Sequence, residues 1–252
     1  MRAALLAAAL LLGSIAVAPA YAADDEAEMP HETWSFSGPF GTFDRAAAQR
    51  GFQVYKEVCS NCHSMKEAYY RNLDGIGLSE EQVKAIAASV SVPTINDDGE
   101  PAERPALPSD HFRSPYPNEK AARAALNGAL PPDLSVIVKA RQGGPDYVYG
   151  ILTGYADAPA TMKMGSGMYY NKMYPGHQIG MPQPLQADQV EYSDGTKATV
   201  EQEAHDVVTF LTYIANPEME QRKRAGVKII LFLAMLTGVT YAVKRRVWSD
   251  VH

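Results

Sequence analysis

Both cysteines of this 252-residue chain fall within five residues, Cys59-Ser60-Asn61-Cys62-His63. That C-x-x-C-H spacing holds two thiols about one helical turn apart with an imidazole directly after them, the pattern through which a c-type haem is attached covalently. The thiols add to the two haem vinyl groups, and His63 becomes the proximal ligand beneath the iron. A redox-active dithiol would need alternating strands and helices around it, and no such alternation is visible. Zinc would be a ligand short with two thiols and one imidazole.

The residues leading into the motif support this reading. Asp44 is a plausible cap, and Gly51, Tyr55, Val58 and Cys62 recur at helical steps, so one helix face delivers the cysteines to a core. Further helices are expected from caps and periodicity. Ser79 with Gln82 opens one through Val83, Ile86, Ala87 and Val90. Thr199 with Gln202 opens another through Ala204, Val207, Val208, Leu211 and Ile214, stopping at Asn216-Pro217. Two shorter helices are expected after Asn118, as far as Asn127-Gly128, and after Asp133, as far as Gln142-Gly143-Gly144. Strand signals are sparse. Residues 92–117 hold six prolines, and residues 153–184 are rich in Gly, Met, Tyr and Pro, so both read as long irregular loops. A haem would serve as the core around which they pack.

The ends set the compartment. Arg2, the apolar stretch at residues 3–17 and the small-residue pattern Ala20-Tyr21-Ala22 make residues 1–22 a secretory signal peptide, so the mature chain begins near Ala23. Residues 225–243 form a 19-residue apolar run broken only by Lys228, enough to span a bilayer core of about 30 Å. Arg222-Lys223-Arg224 and Lys244-Arg245-Arg246 bracket it, and Trp248 follows as an interface anchor. The expected organisation is an exported c-type haem domain at 23–220 and an anchor with a short cytoplasmic tail at 221–252. That places the protein in a bacterial inner membrane, crossing once, with the haem domain in the periplasm.

The formal charge is -6, but from Ala23 to Glu220 the chain carries 28 acidic and 15 basic residues. Such an imbalance argues against nucleic acid as a partner and for steering of a basic protein. Acidic clusters at Asp24-Asp25-Glu26-Glu28 and at Asp97-Asp98-Glu100-Glu103 are candidate steering patches.

The sixth iron ligand decides function, because an open distal face binds small molecules whereas a closed one moves electrons. Candidates are His31, His111, His177 and His205, with Met65, Met162, Met164, Met168, Met173 and Met181. His205 is expected to be exposed, and His31 and His111 lie in loops with no sign of rigid placement. Met181 stands in Ile179-Gly180-Met181-Pro182, where a glycine allows close backbone approach and a proline stiffens the next bond. A soft thioether there favours ferrous iron and a high potential. His177 is the runner-up ligand, and the other loop methionines could alternatively be read as a copper site, though no His or Cys completes a ligand set. Arg141 is a candidate partner for a haem propionate, and Tyr147 for a second hydrogen bond to it.

Over residues 34–248 the chain resembles the cytochrome c1 family, the haem subunits of quinol:cytochrome c oxidoreductase, the cytochrome bc1 complex. The resemblance rests on Asn127-Gly128-Ala129-Leu130-Pro131-Pro132-Asp133-Leu134-Ser135, Gly143-Gly144-Pro145-Asp146-Tyr147-Val148, Leu152-Thr153-Gly154-Tyr155, Gly180-Met181-Pro182 and the two basic anchor flanks. It implies a mainly α fold, a cytochrome c-like haem domain with long irregular loops and one C-terminal transmembrane helix. It implies one haem c bonded to Cys59 and Cys62, ligated by His63 and Met181, with propionate contacts from Arg141 and Tyr147. The implied partners are cytochrome b, the Rieske iron-sulfur protein as electron donor, and a soluble or tethered cytochrome c as acceptor, with no bond chemistry at this subunit. A free-standing membrane-tethered cytochrome serving an oxidase is the alternative. Some family members brace the loop before the methionine with a second cysteine pair, and this chain has none.

Overall fold

The computed structural model describes residues 29–251, so the expected signal peptide, its cleavage site and the acidic cluster at residues 24–28 lie outside it. Six α-helices follow in order: α1 Arg45–Glu57, α2 Glu80–Ala88, α3 Glu119–Ala125, α4 Pro145–Thr153, α5 Val200–Ala215 and α6 Met219–Val247. Two small antiparallel pairs join them, β1 Ser91–Ile95 with β2 Pro101–Pro105, and β3 Tyr169–Tyr170 with β4 Gln178–Ile179.

The helix starts follow local chemistry. Asp44, Asn118 and Thr199 each accept a hydrogen bond from the backbone N–H three residues on, satisfying a donor that the first turn leaves free. Ser79 and Gln82 form the full reciprocal capping box. At Thr199 only half of that motif forms, because the Gln202 amide turns to the Asp206 carboxylate at 3.0 Å.

The centre of the domain is the contact between α1 and α5. Gly51 sits at the closest approach, where an added Cβ would lie 1.9 Å from the Asp206 carbonyl oxygen. Around it Ala48, Phe52, Val54 and Tyr55 of α1 pack with Ala204, Val207, Phe210 and Leu211 of α5, all buried. Phe210 sits with its ring 5.5 Å from Phe52 and 5.8 Å from Tyr55. Each such large side chain contributes roughly 1.5–3 kcal/mol by leaving water. Beside the crossing, Arg50 holds the fully buried Asp206 through two hydrogen bonds, of 2.7 and 3.0 Å.

Three expectations need correction. No α-helix follows Asp133: residues 134–142 form turns, and the helix of this region is α4, opening on Pro145 at its first position after Gly144 at φ 57°. Residues 92–117 are not wholly irregular, because β1 and β2 form a hairpin through them. It tolerates Pro93, Pro101 and Pro105 because both strands are edges with one side free of ladder bonds. His205 is not exposed but half-buried, its ring stacked on Trp34 at 4.8 Å and 15°.

α6 is 29 residues long, with its first turn packed on the domain and its apolar span uncovered within the chain, and it is the one helix among the described residues long and apolar enough to cross a membrane. At 1.5 Å per residue it extends about 43 Å, beyond the bilayer core into both headgroup layers.

Candidate haem-binding site

Helix α1 stops at Glu57, so the cysteines do not continue its face as the four-three-four spacing implied. They occupy a separate short turn. The two residues between them explain it. Ser60 Oγ donates to the Lys56 carbonyl at 2.7 Å and Asn61 Nδ2 to the Glu57 carbonyl at 2.9 Å, satisfying acceptors at the helix end. The Cys62 and His63 amides both return to the Cys59 carbonyl, at 3.1 and 2.9 Å. Both thiols are free, Cys59 half-buried and Cys62 exposed. Burial pushes the Cys59 thiol up to about 12, so it is not an activated thiolate of the kind a dithiol redox centre needs.

The segment after the turn is fastened to residues 132–135. His63 Nδ1 lies 2.8 Å from the Pro132 carbonyl oxygen, which makes it the protonated nitrogen and leaves Nε2 as the coordinating one. Burial lowers the His63 pKa, keeping the imidazole in the neutral form that binds metal. Leu134 N donates to the Ser64 carbonyl at 2.8 Å, Ser64 Oγ to Asp133 at 2.7 Å and Lys66 N to Asp133 at 2.9 Å. Burial alone would raise the Asp133 pKa, but its bonds from Ser135, Ser64 and Lys66 outweigh that and hold the carboxylate ionised. Asp133, read from sequence as a helix start, is instead the clasp that orients the His63 segment.

Met181 is half-buried on the loop after β4. Its brace comes from residues that the site reading from sequence missed. Tyr155 donates its hydroxyl to the Met181 carbonyl at 2.9 Å. Asn171, fully buried, donates to the Ile151 carbonyl at 2.8 Å and accepts from Met173 N at 2.9 Å, tying the loop to α4. The β3–β4 pair closes the same loop. Gly154 admits this approach, since a Cβ there would stand 2.9 Å from Asn171 Oδ1. One signal was available: Leu152-Thr153-Gly154-Tyr155 was a specific stretch of the resemblance, but without a role.

The other candidates are dispersed. Met65 is buried in the hydrophobic core. His31 is largely exposed, 3.5 Å from Asp146, and His111 packs its ring 3.9 Å from that of Tyr69. His177 is held in a left-handed conformation, φ 57°, with Nδ1 3.3 Å from the Asn171 carbonyl. Arg141 is exposed and faces Tyr147, whose hydroxyl is pushed up by burial and drawn back by that cation. Among the described residues no cluster of three His, Cys, Asp or Glu side chains is placed to hold a metal ion. A cleft of about 400 Å3 behind the cysteine turn is lined by Tyr55, Lys56, Ser60, Asn61, Tyr70 and Arg113 among others, and by neither cysteine, His63 nor Met181.

Comparison with known proteins gives a direct answer. The model of the cytochrome C1 family matches residues 34–251. This chain belongs to the cytochrome c1 family. Among its relatives, cytochrome c1 of Rhodospirillum rubrum is 46% identical over 237 residues, covering 87% of each chain. The protein named "Cytochrome c1, heme protein, mitochondrial" in Saccharomyces cerevisiae is 46% identical over 232 residues, 91% of this chain and 75% of that one. A longer protein of Bradyrhizobium diazoefficiens, named "Cytochrome b/c1", is 46% identical over 269 residues, which span 98% of this chain but 39% of that protein. The residues fit the group that a cytochrome c1 carries. Two unpaired thiols sit on one tight turn, and an imidazole fixed at Nδ1 follows them.

Proposed function

We propose that this chain is the haem-bearing electron-transfer subunit of a quinol:cytochrome c oxidoreductase. Its family membership supports that role, and the observation that carries the site assignment is the His63 imidazole, fixed by Pro132 directly after two free thiols. Cys59 and Cys62 would hold the haem by two thioether bonds, His63 and Met181 would ligate its iron, and Arg141 with Tyr147 would contact its propionates. Bound haem c supplies a one-electron iron couple.

The protein's own residues do the rest. Asp133, Ser64 and Pro132 keep the imidazole in one tautomer and orientation. Tyr155 holds the Met181 backbone and Asn171 ties the loop that carries it to α4, so that the thioether would be kept in place to ligate the iron, where it would raise the potential and exclude exogenous ligands. The Rieske iron-sulfur protein is the assigned donor and a basic cytochrome c the acceptor. Cytochrome b is the assigned neighbour of α6, a reading supported by the Bradyrhizobium relative whose one name covers both cytochromes. The haem domain is assigned to the periplasm of a bacterial inner membrane and the C-terminus to the cytoplasm.

Met181→Leu tests the ligand assignment. The purified variant is expected to show a lowered midpoint potential and, when reduced, to bind carbon monoxide. An unchanged potential with no carbon monoxide binding would remove Met181 from the iron.

A further inference from the structure

We propose that the turn at residues 37–41 is a second membrane contact, with Phe40 seated in the lipid headgroup layer beside the anchor helix. The proposal rests on the reading of α6 as membrane-spanning. Phe40 is 79% exposed, whereas its neighbours Phe36 and Phe43 are 7% and 5% exposed and belong to the core. A single exposed apolar side chain is ordinary on a protein surface. Three features set this one apart.

The turn is built rather than loose. Ser37 N donates to the Trp34 carbonyl at 3.0 Å and Thr42 N to the Ser35 carbonyl at 3.1 Å. Asp44 N donates to Ser35 Oγ at 3.1 Å. A Cβ on Gly41 would fall 2.1 Å from the Ser37 carbonyl oxygen, so the chain doubles back there as tightly as glycine permits. Phe40 is thus held outward by a closed backbone.

The turn is also fixed in depth. Lys223 Nζ donates to the carbonyls of Phe36 at 2.6 Å and Gly41 at 3.0 Å. Glu220 accepts from Phe43 N at 2.9 Å while its carboxylate pairs with both Arg45 nitrogens at 3.0 Å. These partners occupy the turn of α6 just before its apolar run begins at Ala225. Lys223 and Glu220 stand two and five residues before that run, about 3 and 7.5 Å of helix rise, and the polar layer on each side of a bilayer is roughly 5–7 Å deep. The contacts through Lys223 thus bring the turn to the depth of that layer, and those through Glu220 reach its outer edge.

Finally, the eleven residues between Glu32 and Asp44 carry no charge, in a domain otherwise dominated by acid. An acidic surface is repelled by anionic lipids, and a neutral apolar tip is not. The occupant that fits is the bilayer itself, continuous with the surface that α6 enters.

Site-directed spin labelling of the full-length holoprotein in nanodiscs of zwitterionic and anionic phospholipid tests this. With Cys59 and Cys62 consumed by haem attachment, Phe40→Cys carries the single label, and Leu233→Cys and Asp98→Cys serve as lipid and water references. Collision with oxygen, which partitions into lipid, is compared with collision with a water-soluble nickel chelate. The Phe40→Cys ratio is expected between the two references. A ratio equal to that of Asp98→Cys, or shielding from both reagents as in a protein-protein contact, would overturn the proposal while leaving the anchor intact. A water-like Leu233→Cys would overturn the anchor reading, and the proposal with it.

Discussion

Replacing Asn171 with alanine isolates what holds the Met181 loop in a chain without a bracing disulfide. The buried amide bonds to the Ile151 carbonyl at 2.8 Å and to Met173 N at 2.9 Å. Truncation leaves both partners unpaired beneath a fully buried position. A buried polar group stripped of its partner costs about 1–3 kcal/mol, so two cost at least about 2 kcal/mol. At 1.4 kcal/mol per decade, closure of the loop weakens by roughly 30-fold or more. Asn171→Ala is therefore expected to weaken the sulfur-to-iron charge-transfer band of the oxidised protein and to admit carbon monoxide when reduced, with the covalent haem still in place. Tyr155→Phe, which loses one hydrogen bond, should show the same changes at smaller amplitude. A full band and no carbon monoxide binding in Asn171→Ala would refute this account of the brace.

Gly51→Ala places a methyl group 1.9 Å from the Asp206 carbonyl oxygen at the α1–α5 crossing. It should lower stability by about 3 kcal/mol, visible as a depressed melting temperature; an unchanged melting temperature would show that the helices can part there without cost. Glu203 is fully buried, with one oxygen 3.3 Å from Val190 N and the other unpaired, and burial pushes its carboxyl up to about 7. Because the folded state holds this proton more tightly than the unfolded chain, stability should fall as pH rises from about 4.5 to 7, by about 3 kcal/mol in all. Glu203→Gln should flatten that part of the pH profile, and an identical slope in the variant would exclude Glu203 as its source. The excess of acid over base predicts that reduction of a basic cytochrome c slows as ionic strength rises, and a flat salt dependence measured by stopped flow would remove steering.

What was legible in the sequence was what short range decides. The caps at Asp44, Ser79, Asn118 and Thr199 use atoms within three residues, and the cysteine turn fits in five. The anchor was equally plain, since length and hydropathy suffice. Asp133 was misread because its carboxylate serves Ser64 and Lys66, nearly 70 residues away, as well as its neighbour Ser135. The prolines of the β1–β2 hairpin masked it, since they forbid ladder bonds on one side only. His205 was misplaced because its helix face is covered by Trp34, from far along the chain. Asn171 and Tyr155 act on Ile151 and Met181, contacts for which local periodicity carries no signal.

Only Asn216, Pro217 and Glu218 separate α5 from α6, and Glu220 and Lys223 stitch the start of α6 back to residues 36–45. No flexible leash intervenes between the membrane post and the redox head. A carrier bolted down in this way cannot swing to meet its donor and then its acceptor. In the proposed role, any travelling would fall to the proteins on either side of it.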